Sequence, residues 1–181
     1  VIKVSPTGDQ TSIARLSGFP SGITIDPQGN LYVANYWLGL IHQITPDGTV
    51  SEFATNTLLK GCIGIEMDEK GNLLAGNGDT GEIFSISPSG TVTSIATVSP
   101  ASYITYFDGY IYSTSVQTHR IHKTSLSGTS EFFAGDGSAG ATNGELLNAS
   151  FNQPNGITVD PDKRVLYISE VSGRVRIVPI D

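Results

Sequence analysis

Cysteine is nearly absent: Cys62 stands alone among 181 residues, which excludes any internal disulfide. Positive charge is also short. Ten Lys and Arg face seventeen Asp and Glu, a net charge of -7. A surface with so few cations is poorly equipped to displace the counterions of nucleic acid or to dock on an anionic membrane, so neither partner is expected. No stretch reaches the roughly 20 apolar residues that a membrane-spanning helix requires. The sequence starts at Val1 with neither an initiator Met nor a signal-like apolar segment, which reads as a processed form or a piece of a longer protein. Local catalytic signatures are missing as well: there is no GxSxG elbow, no HExxH helix and no phosphate-cradling glycine loop.

Turn residues, by contrast, are plentiful. With 21 Gly and 9 Pro, the chain favours many short elements over long helices, and 38% hydrophobic content against 15% charged is enough for a packed core. The stretch Phe151 to Val178, FNQPNGITVDPDKRVLYISEVSGRVRIV, shows the building unit. Short runs rich in β-branched and aromatic residues alternate with Pro-Asn-Gly, Asp-Pro and Ser-Gly turns, the signature of an antiparallel sheet. Residues 19–53 repeat the same text and add a fourth run.

The repetition keeps a period. Hairpin signals SPTGD, TPDGT, SPSGT and SLSGT place glycines at 8, 48, 90 and 128, with spacings of 40, 42 and 38 residues. A second series of turns, at Asp26, Asp68 and Asp108, keeps the same interval, and Asp160 continues the series beyond the insertion at 134–150. Each complete unit carries four runs. They are Gly22 to Ile25, Leu31 to Ala34, Leu40 to Ile44 and Val50 to Phe53 in the first unit, with counterparts beginning at Gly64 and Ile104. The first two runs are apolar on both phases and are expected to be the most buried; the outer two are more mixed. A four-strand repeat near 40 residues predicts an all-β protein, a β-propeller of four-stranded antiparallel blades.

The organisation expected is one propeller domain or propeller fragment over 1–181, with repeats near 1–18, 19–56, 57–98, 99–134 and 151–181. That is three complete blades plus a split or incomplete one. Val1 to Val4 and Thr11 to Leu16 match the outer two runs of a blade, and the C-terminal repeat stops in its third run. Either the two ends share one blade, or the chain is an arc whose free edges are used for assembly. A Gly/Ala/Asn-rich insertion, residues 134–150, interrupts the period as a functional loop or a packing strap.

The segments SGITIDPQGNLYVANYWLGLIHQI and PNGITVDPDKRVLYISEVSGRVRIV, with the approach AGDGSAGATNGELLNASFNQP, resemble NHL repeats. The likeness is strong over 19–53 and 134–178 and weak over 98–133. It extends to the six-bladed TolB-like superfamily, including SMP-30/gluconolactonase-like and strictosidine-synthase-like propellers. It implies a propeller fold, with members that act as scaffolds for protein, RNA or carbohydrate and others that are enzymes. Fold alone does not choose between these.

The resemblance to gluconolactonase-like propellers implies a metal-ligating Asn near the channel, which here would be Asn155, with Glu170 ending the following run. Calcium needs six or more oxygens, and the matching positions are Ser21 and Ile63 before the first run and Asn35, Asn77 and Ser115 after the second. Only one carboxylate is available, so a turn-capping role is the expected one and no metal or cofactor is assigned. His42 and His122 share a phase with Phe84 and Arg176, which reads as a repeated structural position. These two and His119 are also the residues that the zinc chemistry of amidating-lyase propellers would use.

Tyr36 and Trp37, the latter the only Trp, sit in the loop after the second run; an amphipathic ring there stacks on a sugar, anchors a partner or folds back between blades. With Asn35, Asn77, Ser115 and Glu170 they form the candidate ligand site at the channel mouth. Asn148-Ala149-Ser150 is the only N-glycosylation sequon, and together with abundant Ser and Thr it fits an extracellular chain. The resulting expectation is a non-catalytic recognition or assembly scaffold with a protein or carbohydrate ligand, capable of forming homo-oligomers or filaments through its incomplete blade. The alternative is a lactonase- or lyase-like enzyme with calcium or another divalent cation in the channel.

Overall fold

The computed structural model describes residues 1–99 and 103–180. It is an all-β propeller, and a single 3-10 turn at Thr57–Leu59 is the only helix among the described residues. An N-terminal hairpin pairs β1 (Ile2–Val4) with β2 (Gln10–Ser12). The first full blade holds β3 (Pro20–Ile25), β4 (Leu31–Asn35), β5 (Leu40–Ile44) and β6 (Val50–Thr55). The second holds β7 (Cys62–Met67), β8 (Leu73–Asn77), β9 (Glu82–Ile86) and β10 (Val92–Thr97). The third holds β11 (Ile104–Phe107), β12 (Tyr110–Ser115), β13 (Arg120–Ser125) and β14 (Ser130–Ala134); a three-stranded sheet follows with β15 (Pro154–Asp160), β16 (Val165–Glu170) and β17 (Val175–Pro179). Within each sheet, strands pair antiparallel in chain order, and successive inner strands pack in the order β3, β7, β11, β15. The start of the third repeat at 100–102 lies outside the described residues.

The forty-residue period takes physical form in the turn between the third and fourth strands. Gly48, Gly90 and Gly128 have φ of +88°, +82° and +95°, and each N–H donates to the carbonyl three residues back. A Cβ on these glycines would come within 3.0, 2.8 and 2.5 Å of the carbonyl oxygens of Ile13, Phe53 and Ile95. Glycine is therefore needed twice, for its left-handed backbone and for the close approach, because each blade leans here on the outer strand of its predecessor. Ile13, just after β2, occupies that role for the first blade, which identifies β1–β2 as the outer half of a preceding blade. The inner turns are held by carboxylates. Asp26 accepts from the N–H of Gln28 and Asn30 and from the Asn30 amide, and Asp68 repeats the set with Lys70 and Asn72.

Burial departs from expectation in one respect. The second and third strands form the core, with Val33, Ala34, Ile41, Leu73, Leu74, Ala75, Ile83, Phe84, Ile111 and Ile121 almost wholly buried. The inner strand of the first blade, expected to be covered on both faces, is not: Ile23 and Ile25 are 50% and 59% exposed, whereas Ile65 of β7 and Ile104 of β11 are buried. β7 and β11 pack against the inner strand of the blade before them, whereas β3 has only the two-stranded β1–β2 hairpin on that side. In the first blade that exposure continues into a cavity of about 630 Å³ shared with Ile2 and Ile13 of the N-terminal hairpin. The two ends do not share a sheet, since β1 and β2 pair with each other and β15–β17 form a sheet of their own.

The insertion is a packing strap. Gly135 and Asp136 donate to the carbonyls of Leu146 and Ala149, while Ala149 and Phe151 enter the core against Leu166 and Ile168. Arg176 reaches across to the Ser150 carbonyl at 2.7 Å and the Asn143 amide oxygen at 2.9 Å.

Candidate functional site

Every inner strand starts at the same end of the channel, so the heads of all four are brought together. Ser21 of β3, Ile63 of β7, Tyr103 just before β11 and Asn155 of β15 line one cavity of about 500 Å³, completed by Phe19, Pro20, Tyr36 and Trp37. Aromatic rings dominate one side. Phe19 lies 5.1 Å from Trp37 in a tilted pair and 6.0 Å from Tyr36 edge to face. Trp37 is 62% exposed and Phe19 52%, so the Trp ring stands open over the mouth rather than folding back between blades. The Tyr36 hydroxyl donates to Asp79 Oδ1 at 2.7 Å, joining the first blade to the second and raising the phenol pKa through that bond first, then through burial.

The cluster rests on Asn35, which is almost completely buried. Its amide oxygen accepts from the N–H of Phe19 at 3.1 Å and of Leu38 at 3.3 Å, and its nitrogen donates to the Ser17 carbonyl at 2.7 Å. Asn35 thereby fixes the segments that carry Phe19 and Trp37. Gly18, at φ +75°, passes so close that a Cβ would lie 2.7 Å from the Asn35 amide oxygen. The equivalent positions in other blades do similar work. Asn77 donates to the Leu58 and Lys60 carbonyls and accepts from the N–H of Asp79 and Thr80; Ser115 Oγ accepts from the N–H of Thr118. Glu170 accepts from Asn152 N–H at 2.9 Å, Arg176 at 3.2 Å and Ser172 Oγ at 3.0 Å. Of the candidates named from sequence, Tyr36, Trp37 and Asn155 line the cavity, whereas Asn35, Asn77, Ser115 and Glu170 do not.

Of the two residues the sequence offered to a channel cation, Glu170 is already engaged. The Glu170 carboxylate is fully buried and directed at Arg176, so it is already compensated; at Asn155 only the backbone carbonyl is engaged, accepting from the Thr114 hydroxyl. The histidines lie away from the mouth lining. His42 is buried beside Asn35 and His122 beside Phe132, and burial lowers both pKa values; Glu52 opposes the shift at His42, and Arg120 reinforces it at His122. His119 Nδ1 accepts from the Gln153 N–H at 3.1 Å. Burial, with Glu82 and Asp79 nearby, pushes the Cys62 thiol up to about 12, so it is no nucleophile at neutral pH. Asn148 is exposed in the strap, while Ser150 of the same sequon is buried and accepts from the Thr142 N–H.

Phe19 and Tyr103 belong to the mouth and were not singled out by motif. Their signal was positional: each precedes the first residue of an inner strand, where Ser21, Ile63 and Asn155 already mark the channel end.

No protein-family profile and no curated protein sequence matches the chain. Solved structures do. Virginiamycin B lyase from Staphylococcus aureus, in a catalytically inactive form with quinupristin, superposes with a TM-score of 0.67 at 18% identity over 99% of this chain and 62% of that one. A nidogen/laminin complex gives 0.72 at 18% identity over 92% of this chain and 62% of that one, and a gluconolactonase from Xanthomonas campestris gives 0.69 at 16% identity over 91% and 60%. The likeness is one of fold. The chain spans about three fifths of the length of these structures, and they include both enzymes and a protein–protein complex.

Proposed function

We propose that this propeller is a non-catalytic recognition module that takes its ligand at the channel mouth. The observation that carries this reading is the cavity of about 500 Å³ where four strand heads meet an exposed Phe19–Trp37 pair. Its volume falls within the range of ligand pockets, roughly 300–1,000 Å³. Exposed aromatic rings held by buried backbone contacts are what an anchoring surface requires. The NHL-like repeat pattern, an extracellular setting and glycosylation at Asn148 belong to the same proposal, supported by the sequon, its exposed asparagine and the scarcity of charge. The experiment is an array of peptides and glycans probed with the wild type and with Phe19→Ala and Trp37→Ala, with bound probes recovered and weighed by mass spectrometry. Binding that needs both rings and returns the probe unchanged is expected. Binding indifferent to both substitutions, or a probe chemically altered during incubation, would refute the reading.

Self-association through the incomplete blade is a second element, favoured by the apolar cavity between β1–β2 and the first blade and by exposed Ile2, Val4, Ile23 and Ile25. Light scattering across a dilution series tests it. A chain that stays monomeric throughout the micromolar range would eliminate it.

A further inference from the structure

The chemistry of the lining narrows the ligand. Resting on the recognition reading above, we infer that the channel mouth is a site for a neutral saccharide, with one face of a sugar ring against Trp37 and Phe19 and its hydroxyls on Asn155 and Tyr103.

Four observations lead there. First, none of the eight lining residues is Lys, Arg, Asp, Glu or His, so the site offers no countercharge to an ionic ligand. Asp79, an acidic group hydrogen-bonded to the lining, is engaged by the Tyr36 hydroxyl. Second, half of the lining is aromatic, and the most open ring, Trp37, pairs with Phe19 in a tilted geometry that leaves a broad apolar surface. The axial C–H faces of a pyranose suit that surface as a non-polar disc does.

Third, polar groups remain beside the rings. The Asn155 amide and the Tyr103 hydroxyl make no hydrogen bond with any described residue, whereas Ser21 Oγ is spent on the carbonyls of Ala34 and Cys62 at 3.2 and 3.0 Å. An amide presents two donors and an acceptor, and a phenol presents one of each, which matches neighbouring sugar hydroxyls. A wholly apolar ring would desolvate these groups without replacing their water partners. Fourth, the cavity is a mouth bounded by the heads of four strands, which fits a compact ligand; an extended proline-rich or β-strand peptide needs a groove or a free edge instead.

Trp37 is the only tryptophan, so its emission reports this site alone. The intact chain is titrated, at millimolar ligand, with neutral gluco-, galacto-, manno- and xylo-oligosaccharides, with polygalacturonate as an anionic control, and with a proline-rich peptide. Saturable change in Trp37 emission with at least one neutral series, and none with polygalacturonate, is expected. Asn155→Ala should leave the emission of the free protein unchanged and weaken that saccharide by about tenfold, the loss of one well-made hydrogen bond. Silence toward every neutral series overturns the inference. If the peptide alone perturbs Trp37, the mouth is a recognition site and only the saccharide assignment fails. If calorimetry records saccharide binding that leaves Trp37 emission unchanged, the mouth is not the site and both readings fail together.

Discussion

The second and third blades carry the same backbone and different interiors. In the second, the β8–β9 pair puts Ala75 across from Phe84, both fully buried, and Asn77 makes four hydrogen bonds that tie its turn to the incoming loop. In the third, the matching register puts Ser113 across from His122, and Ser115 replaces Asn77 with one long bond. The four buried polar side-chain atoms lacking a partner among the described residues, on Ser113, Thr118, Arg120 and His122, all belong to this hairpin. A propeller blade thus tolerates a dry or a polar interior on one backbone. The difference teaches that the repeat is enforced at turns and straps, while core positions drift.

The comparison can be broken from the dry side first. Phe84→Ala empties a fully buried site in the second blade and is expected to cost about 3–5 kcal/mol in urea unfolding. A cost under about 1 kcal/mol would mean that the second blade is not the cohesive one. Asn77→Ala removes four hydrogen bonds from a buried amide and should cost about 2–3 kcal/mol, against less than about 1 kcal/mol for Ser115→Ala. Equal costs would erase the distinction between the two straps.

From the polar side, the double change Ser113→Ala with His122→Phe rebuilds the second blade's pair in the third. It should stabilise by about 1–2 kcal/mol, because buried groups without partners are replaced by apolar ones. A smaller effect follows pH. Burial holds the folded pKa of His42 and His122 below the usual value near 6.5, so the unfolded chain takes up protons first. Stability is complete above about pH 6.5 and falls as pH drops through that value toward the folded pKa. The double variant should flatten that slope in part, and an unchanged slope would assign the acid sensitivity elsewhere. Smallest of all, Trp37→Ala should shift stability by less than about 0.5 kcal/mol while abolishing ligand binding, since the ring is open to solvent.

The sequence-level reading succeeded where one residue type has no substitute. Gly48, Gly90 and Gly128 announce their turns because a side chain there would strike the preceding blade, and Asp26 and Asp68 announce theirs because a carboxylate gathers the turn's N–H groups. The roles of Asn35, Asn77, Ser115 and Glu170 were harder to read. They share the end of each second strand, but a buried strap and an open ligand contact draw on the same polar residue types, so residue type and position alone do not say which way each points. Phe19 escaped notice because its partnership with Trp37 spans the blade from lead-in to turn, a contact that no local pattern records.

Acrylamide quenching of Trp37 tests the account most directly. An open aromatic mouth predicts red-shifted emission quenched nearly as readily as in a short peptide. Blue-shifted emission that resists acrylamide would place the ring between blades, leaving the channel mouth without its anchor.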